Sequence, residues 1–393
     1  MPIPRITIWD TKADRMMGRC LYPERNEVIA PQTLRIFASA PETAMGELAL
    51  CNHSFHFRPA ILIHEAENIT LEKVTIHSQP GMGIVGHRSS DLTFKNLRII
   101  PRVGSPMSTN TDATHFTSCR GFIHFEGCQF EGQGDDSTNI HNYYYSVSSL
   151  ESPDSLTDSK SYEITVKAPT GTHAQVLDHP DPGDLLELVE IETLRAIDQF
   201  EVTQVENDPQ NWRSRITLDR PLPVALEDHY LINVSRLPRV RIIHCQIRSH
   251  RARAILIKTR DVLIEGCTIQ DTRGTAIHIG AEGSWQEGPA SADVRIRYNR
   301  IIDCGFGEGT QNHSSGVAVN VKAARSNVPG IHKRILIEGN QIRVPDGTRH
   351  GIYVSGSEDV TIRYNQISGA EVPIEVQHSE EVNVYENSGA GSE

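Results

Sequence analysis

The sequence predicts an all-β chain: a right-handed parallel β-helix carrying a small inserted antiparallel β-barrel or sandwich. Three observations lead there. An eight-residue phrase, apolar at positions one, three and eight and apolar, cysteine or asparagine at position six, recurs along most of the 393 residues. Its closest copies start 22 or 23 residues apart. Between residues 145 and 239 the period is lost and longer alternating segments replace it.

Residues 1–58 carry the repeat weakly and are expected to form an N-terminal cap or incomplete coils, since stacked repeats need capped ends. Residues 59–144 form the first part of the β-helix, with the phrase at Ile69–Ile76, Leu92–Ile99 and Ile123–Phe130. Short strand-like segments such as Gly83-Ile-Val-Gly86 lie between copies. Alternating apolar residues bounded by Gly, Asn and Asp read as strands and turns. A unit of 22–25 residues holding two or three such strands is one coil of a β-helix. Leucine-rich repeats share the period, but their leucine consensus is missing.

Residues 145–239 are expected to form the inserted domain. Ser146 to Lys160 is rich in Ser and Asp and reads as a loop. The segments at Tyr162, Gly183, Gln199 and Arg215 then alternate like antiparallel strands. Residues 240–393 resume the phrase at Val240, Val262, Val294, Ile335 and Val360, with a fading copy at Val382. The sixth position runs Val74, Leu97, Cys128, Cys245, Cys267, Asn299, Asn340, Asn365, Asn387. Stacked coils would make it an internal column, so these cysteines are read as core rather than chemistry.

The formal charge is −12, from 50 acidic and 38 basic residues, with no Lys/Arg block. That argues against nucleic acid or an anionic membrane as partner and fits a neutral ligand such as a sugar. No apolar run approaches a membrane span. The first ten residues lack the regions of a signal peptide, so either the protein stays in the cytoplasm or a leader is gone. Seven cysteines without CxxC spacing point to neither a disulfide framework nor a zinc site.

Chemistry concentrates in two segments that superimpose at an offset of 24 residues: Asn110–Phe116 and Gly134–Ile140. Asp112 falls on Asp136, Thr114 on Thr138, Phe116 on Ile140. Equivalent positions on adjacent coils lie ~4.8 Å apart, so Asp112, Asp135 and Asp136 form one carboxylate cluster. Such a cluster holds a proton near neutral pH and supplies the acid and base of glycoside hydrolysis. If Phe116 and Ile140 face inward, strict alternation gives Asp112 and Asp136 inward parity and sends Asp135, Asn139 and His141 outward, but aspartates at strand ends often escape that parity, which leaves the direction of Asp112 and Asp136 open. Calcium binding and inert turn-capping are the competing readings, but no calcium-loop spacing is present. His115, Asn139 and His141 are candidate hydrogen-bonding groups for a substrate. His87, Arg88, Arg251, Arg253 and Lys258 on flanking coils are weaker ones, as is the loop pair Trp285 and Glu287. Charged residues on a coil face are commonly just solvated.

Asn-Thr-Asp followed one coil later by Asp-Asp resembles the polygalacturonases, inverting β-helical glycosidases, although their Gly-His-Gly motif is missing here. The sequence is more similar to glycoside hydrolase family 110, the α-1,3-galactosidases. The similarity is carried by Pro80–Ser89, Asp112–Phe116, Gly134–His141, Arg251–Ile257 and Ser284–Gly288. It implies an inverting exo-glycosidase that removes terminal α-linked, in that family α-1,3-linked, galactose from oligosaccharides or polysaccharides without metal or cofactor. Carried over by motif, Asp135 is the general acid, and Asp112 and Asp136 hold and deprotonate the water. The resemblance also implies a secreted or periplasmic protein, although this chain shows no secretion signal and is shorter than is usual in the family. A polygalacturonase-like hydrolase of acidic polysaccharides and a non-catalytic carbohydrate-binding β-helix are the alternatives.

Overall fold

The computed structural model describes residues 3–11, 15–39, 47–53, 58–149, 160–166, 177–223, 226–307 and 314–389. A coil of its parallel β-helix is built from three strands, for example Ser90–Lys95, Arg98–Ile99 and Thr114–Thr117, the last two running together at Gln341–Ser355 and Gln366–Gln377. The first two are the eight-residue phrase, bent at positions five and six. Position five is left-handed in every copy: Lys73, Asn96, Gly127, His244, Gly266, Tyr298, Gly339, Tyr364 and Glu386 have φ between 51° and 65°. Glycine takes that conformation without strain, whereas an L-residue with a Cβ gives up ~1–2 kcal/mol. The bond that closes the corner offsets this loss.

Where position six is asparagine its side chain supplies that bond; Val74 and Leu97 supply none. Asn299 Nδ2 donates to Asn340 Oδ1 at 3.0 Å, Asn340 Nδ2 to Asn365 Oδ1 at 2.9 Å, and Asn365 Nδ2 to Asn387 Oδ1 at 2.9 Å. Each acceptor oxygen also takes the preceding asparagine's backbone N–H, and each Nδ2 reaches a carbonyl on the preceding coil, such as Ile264 O from Asn299. Cys128, Cys245 and Cys267 continue the column, buried and unbridged. Each buried, satisfied bond is worth ~1 kcal/mol net, and orphaning one partner costs about 1–3 kcal/mol.

Position one of every copy is in register. Ile69, Leu92, Ile123, Val240, Val262, Val294, Ile335, Val360 and Val382 pair across nine parallel strands among the described residues. Together with Phe94, Phe125, Ile264 and Ile296 they fill one continuous apolar core. Full burial of such a side chain contributes ~1.5–3 kcal/mol.

The third strands carry the site. Ile84–His87, Thr114–Thr117, Thr138–Ser149, Ile255–Ile257 and Ile277–Glu282 stack in parallel, aligning Ile84, Thr114, Thr138, Ile255 and Ile277. Thr138–Ser149 then leaves the coil. Its distal half pairs antiparallel with His229–Asn233 and Ser161–Thr165. Leu185–Glu190, Ala196–Asp208 and Arg213–Leu218 complete this antiparallel segment around Tyr145, Leu186, Phe200 and Ile216. Ser146–Ser149 is therefore strand where a loop was expected, because Val147 pairs with Ile164. Residues 150–159 of that expected loop lie outside the described residues. The helix itself passes straight over the excursion, with Ile123 beside Val240.

The N-terminal strands Arg5–Asp10, Arg15–Leu21 and Glu47–Asn52 pair antiparallel. Arg5 Nη2 donates to Asn110 O at 2.5 Å and Asn52 Nδ2 to Asn110 Oδ1 at 2.8 Å, fastening this sheet to the segment that leads into Asp112. Among the described residues, no helix is long and apolar enough to cross a membrane.

Candidate active site

The in-register pairing of Thr114 with Thr138 sets Asp112 beneath Asp136. Each lies just before its strand, and each side chain runs along the stack instead of into or out of the coil. Asp136 N donates to Asp112 Oδ1 at 3.2 Å, and one coil further Arg253 N donates to Asp136 Oδ1 at 2.8 Å. The open parity question is thus answered by a third direction. Close backbone approach makes it possible: a Cβ on Gly134 would stand 2.2 Å from Asn110 O.

Arg253 also binds Asp136 through its side chain, Nε to Oδ1 at 3.0 Å and Nη2 to Oδ2 at 2.9 Å. Burial nevertheless pushes the Asp136 carboxyl up to about 7, with Asp135 and Asp112 adding to the rise against the pull of Arg253. Asp135 is the more accessible carboxyl, its side chain 21 % exposed, and Arg251 Nη2 holds its Oδ1 at 2.7 Å. The nearest oxygens of the three aspartates lie within 4.8 Å of one another. That spacing could admit one cation, but Arg251 and Arg253 already bring positive charge to two of the three.

From this cluster a closed ring of polar contacts runs through the outward face of the third strands. Asp112 Oδ2 is 2.7 Å from His115 Nδ1, and His115 Nε2 is 2.9 Å from His141 Nε2. His141 Nε2 stands 3.7 Å from Glu287 Oε1, whose partner oxygen takes Lys258 Nζ at 2.6 Å and Asn139 Nδ2 at 3.3 Å. Lys258 also pairs with Glu282 at 2.9 Å, and Glu282 with Arg253 at 3.2 Å, which returns to Asp136. Every member is buried. Burial holds His115 down to about 4 and His141 to about 3. Burial works against the charge of Glu282 too, but Lys258 and Arg253 outweigh it and keep its carboxyl well below the usual range.

Of the expected residues, Asp112, Asp135, Asp136, His115, Asn139, His141, Arg251, Arg253 and Glu287 therefore meet in one network. Trp285 lies in the short turn Gly283–Trp285 leading to Glu287 and is 40 % exposed. His87 and Arg88 turn to the antiparallel segment instead. His87 Nε2 meets Asp178 Oδ1 at 3.2 Å, and Arg88 pairs with Asp181 at 2.8 Å and Glu65 at 3.2 Å. Glu282 was not anticipated, and Lys258 only weakly. The available signal was a buried-strand lysine at outward parity, Lys258, with an acid at the end of the next third strand.

A model described as a right-handed β-helix region matches residues 230–389. Over 364 residues the chain is 27 % identical to α-1,3-galactosidase A of Shewanella woodyi, covering 89 % of this chain and 57 % of that protein. It is 29 % identical to α-1,3-galactosidase A of Bacteroides fragilis over 299 residues, covering 73 % and 46 %. The chain thus spans about half the length of these curated relatives. Among solved structures, the catalytic unit of a family 87 α-1,3-glucanase from Streptomyces thermodiastaticus superimposes with a TM-score of 0.42 at 13 % identity, covering 84 % of this chain and 49 % of that one. The right-handed parallel β-helix and the resemblance to the α-1,3-galactosidases, both expected from the motifs, are met again in these matches.

Proposed function

We propose that this chain acts as a glycoside hydrolase that releases terminal α-linked galactose, with inversion, from galactose-terminated oligosaccharides or polysaccharides. The observation that carries the reading is the Asp112, Asp135 and Asp136 cluster, two buried carboxyls and one that solvent reaches, on adjacent coils. The names of the relatives supply the sugar and the α-1,3 linkage.

Asp135 is the proton donor in this reading, since it alone of the three is open to a glycosidic oxygen. Arg251 holds it in the resting state. Withdrawal of Arg251 as the sugar enters leaves Asp135 beside two other carboxyls, which favours its protonated form. Asp112 and Asp136 together hold the water, and this pair supplies the base that deprotonates it. The water's oxygen bonds to the anomeric carbon as its proton leaves for a carboxylate. The bond to the leaving sugar breaks, its electron pair stays on the leaving oxygen, and that oxygen takes the Asp135 proton. Residues 59–144 and 240–393 make up the helix, and residues 145–239 an inserted domain that walls the site, stapled to it by His87–Asp178 and Arg88–Asp181.

The test is release of free galactose from a panel of p-nitrophenyl glycosides and galactose-terminated oligosaccharides. Release of galacturonate, or binding without turnover, would reject it. Stereochemistry is the sharpest check. The three aspartates stand closer than the ~6.5–9.5 Å usual between the carboxyl groups of inverting enzymes. NMR of fresh product must show the β-anomer first; an initial α-anomer means retention and overturns all three roles.

A further inference from the structure

We propose that Asp112, His115 and His141 together hold three protons in the resting protein, so that Asp112 has no capacity to take one from water and Asp136 alone is the base. This rests on the glycosidase reading for its catalytic half only; the proton count stands on geometry.

Three hydrogen-bond gaps lie in series: Asp112 Oδ2 to His115 Nδ1, His115 Nε2 to His141 Nε2, and His141 Nδ1 to Asn142 O at 3.1 Å. The last acceptor is a carbonyl, which has no proton to give, so His141 must carry one on Nδ1. The middle gap joins two ring nitrogens and needs one proton between them. The first gap, between a carboxylate oxygen and a ring nitrogen, needs a third. An ionised aspartate and two neutral imidazoles bring only two. With both rings kept neutral by burial, His141 is bare at Nε2, His115 donates from Nε2 and is bare at Nδ1, and the remaining proton sits on Asp112.

The surroundings agree. Asp135 and Asp136 face Asp112 from the next coil, and Arg251 and Arg253 from the coil beyond bind those two carboxyls. Neutralising Asp112 removes one of three crowded negative charges and leaves Asp136 ionised for its task. At the far end, Glu287 and Lys258 flank His141, and the Tyr143 ring meets it edge-on at 4.9 Å between centroids. His115 and His141 are on this account positioning residues, acting through Asp112.

The count is read directly by nitrogen-15 NMR of the histidine rings in the labelled full chain at pH 7, with carbon-13 detection of the Asp112 carboxyl. Nδ1–H on His141 together with three protons over the trio supports the proposal. A bare Nδ1 on His141, or an ionised Asp112 beside two neutral rings, overturns it. This holds whether or not galactose is released, so it separates from failure of the glycosidase reading. In catalysis, Asp136→Asn should lose about 10²–10⁴-fold in kcat. Asp112→Asn, whose amide still donates to His115 Nδ1, should lose about tenfold. Equal losses overturn the division of labour. So does an acid limb of log(kcat/KM) against pH with a slope of about two instead of about one, since two bases would then have to ionise.

Discussion

Asp136 donates its backbone N–H to the carboxylate of Asp112, the residue that occupies the same position one coil earlier. Arg253 repeats the gesture toward Asp136. A site built this way binds its acids to the pitch of the scaffold, and its electrostatics become testable one coil at a time.

Arg253 pairs with both Asp136 and Glu282 in a buried setting. Arg253→Met should leave two buried carboxylates short of their guanidinium and destabilise the fold by about 3–5 kcal/mol. Urea melts at pH 7 check the value. A loss under about 1 kcal/mol would mean that water reaches the ring and relieves the charges.

Asp135→Asn should abolish most turnover of natural glycans yet spare substrates whose leaving group needs little protonation, such as p-nitrophenyl galactosides. Asp136→Asn should depress both classes alike. The ratio of the two rates for each variant separates proton donor from base.

Buried histidines make the fold acid-sensitive. His115, His141, His250, His278 and His332 are held at about 4, 3, 3, 3 and 4, burial being the first cause in each. A folded pKa below the unfolded one means that the unfolded chain binds the extra proton. Stability is thus fully present above about 6.5 and is lost as pH falls toward 4, at ~1.4 kcal/mol per pH unit for each ring. Asp136, raised to about 7, works the other way and loses stability as pH rises from about 4 to 7. The histidines outnumber it, so urea midpoints should drop steadily from pH 7 to pH 5.

Asn340→Ala should cost about 3 kcal/mol, since it orphans the Asn299 amide, the Asn299 backbone N–H and Ile296 O. Cys267→Val, a change of similar volume in the same column, should cost under about 1.5 kcal/mol. Thiol labelling offers a companion check. Cys51 is the exposed thiol among those described, and Cys128, Cys245 and Cys267 should stay unmodified until the chain unfolds.

The coil was legible because its apolar positions repeat as residue types: position one is Ile, Leu or Val in every copy, and position six converges on Cys and Asn. The left-handed fifth position was not. Lys73, His244, Tyr298 and Glu386 share a backbone angle and no side-chain chemistry. The aspartate cluster was readable from a 24-residue offset. Its ring was not, because Glu287 sits on a return strand, pairing antiparallel with Tyr143 and Glu282 outside any repeat. The pairing of His87 and Arg88 was hidden for a related reason. Their partners Asp178 and Asp181 lie 91 and 93 residues away, beyond the reach of periodicity.

The uninterrupted pairing of Ile123 with Val240 has an evolutionary consequence. Because the strand ladder closes over the excursion as though nothing had been spliced in, that excursion can grow, shrink or be exchanged without disturbing the coils on either side. The aspartate cluster has no such liberty. Asp112, Asp136 and Arg253 occupy three successive storeys, and gaining or losing a storey between them moves an acid by a full ~4.8 Å step. The side excursion is therefore free to drift, while the distance between the aspartates changes only by whole quanta, each of which dismantles their cluster.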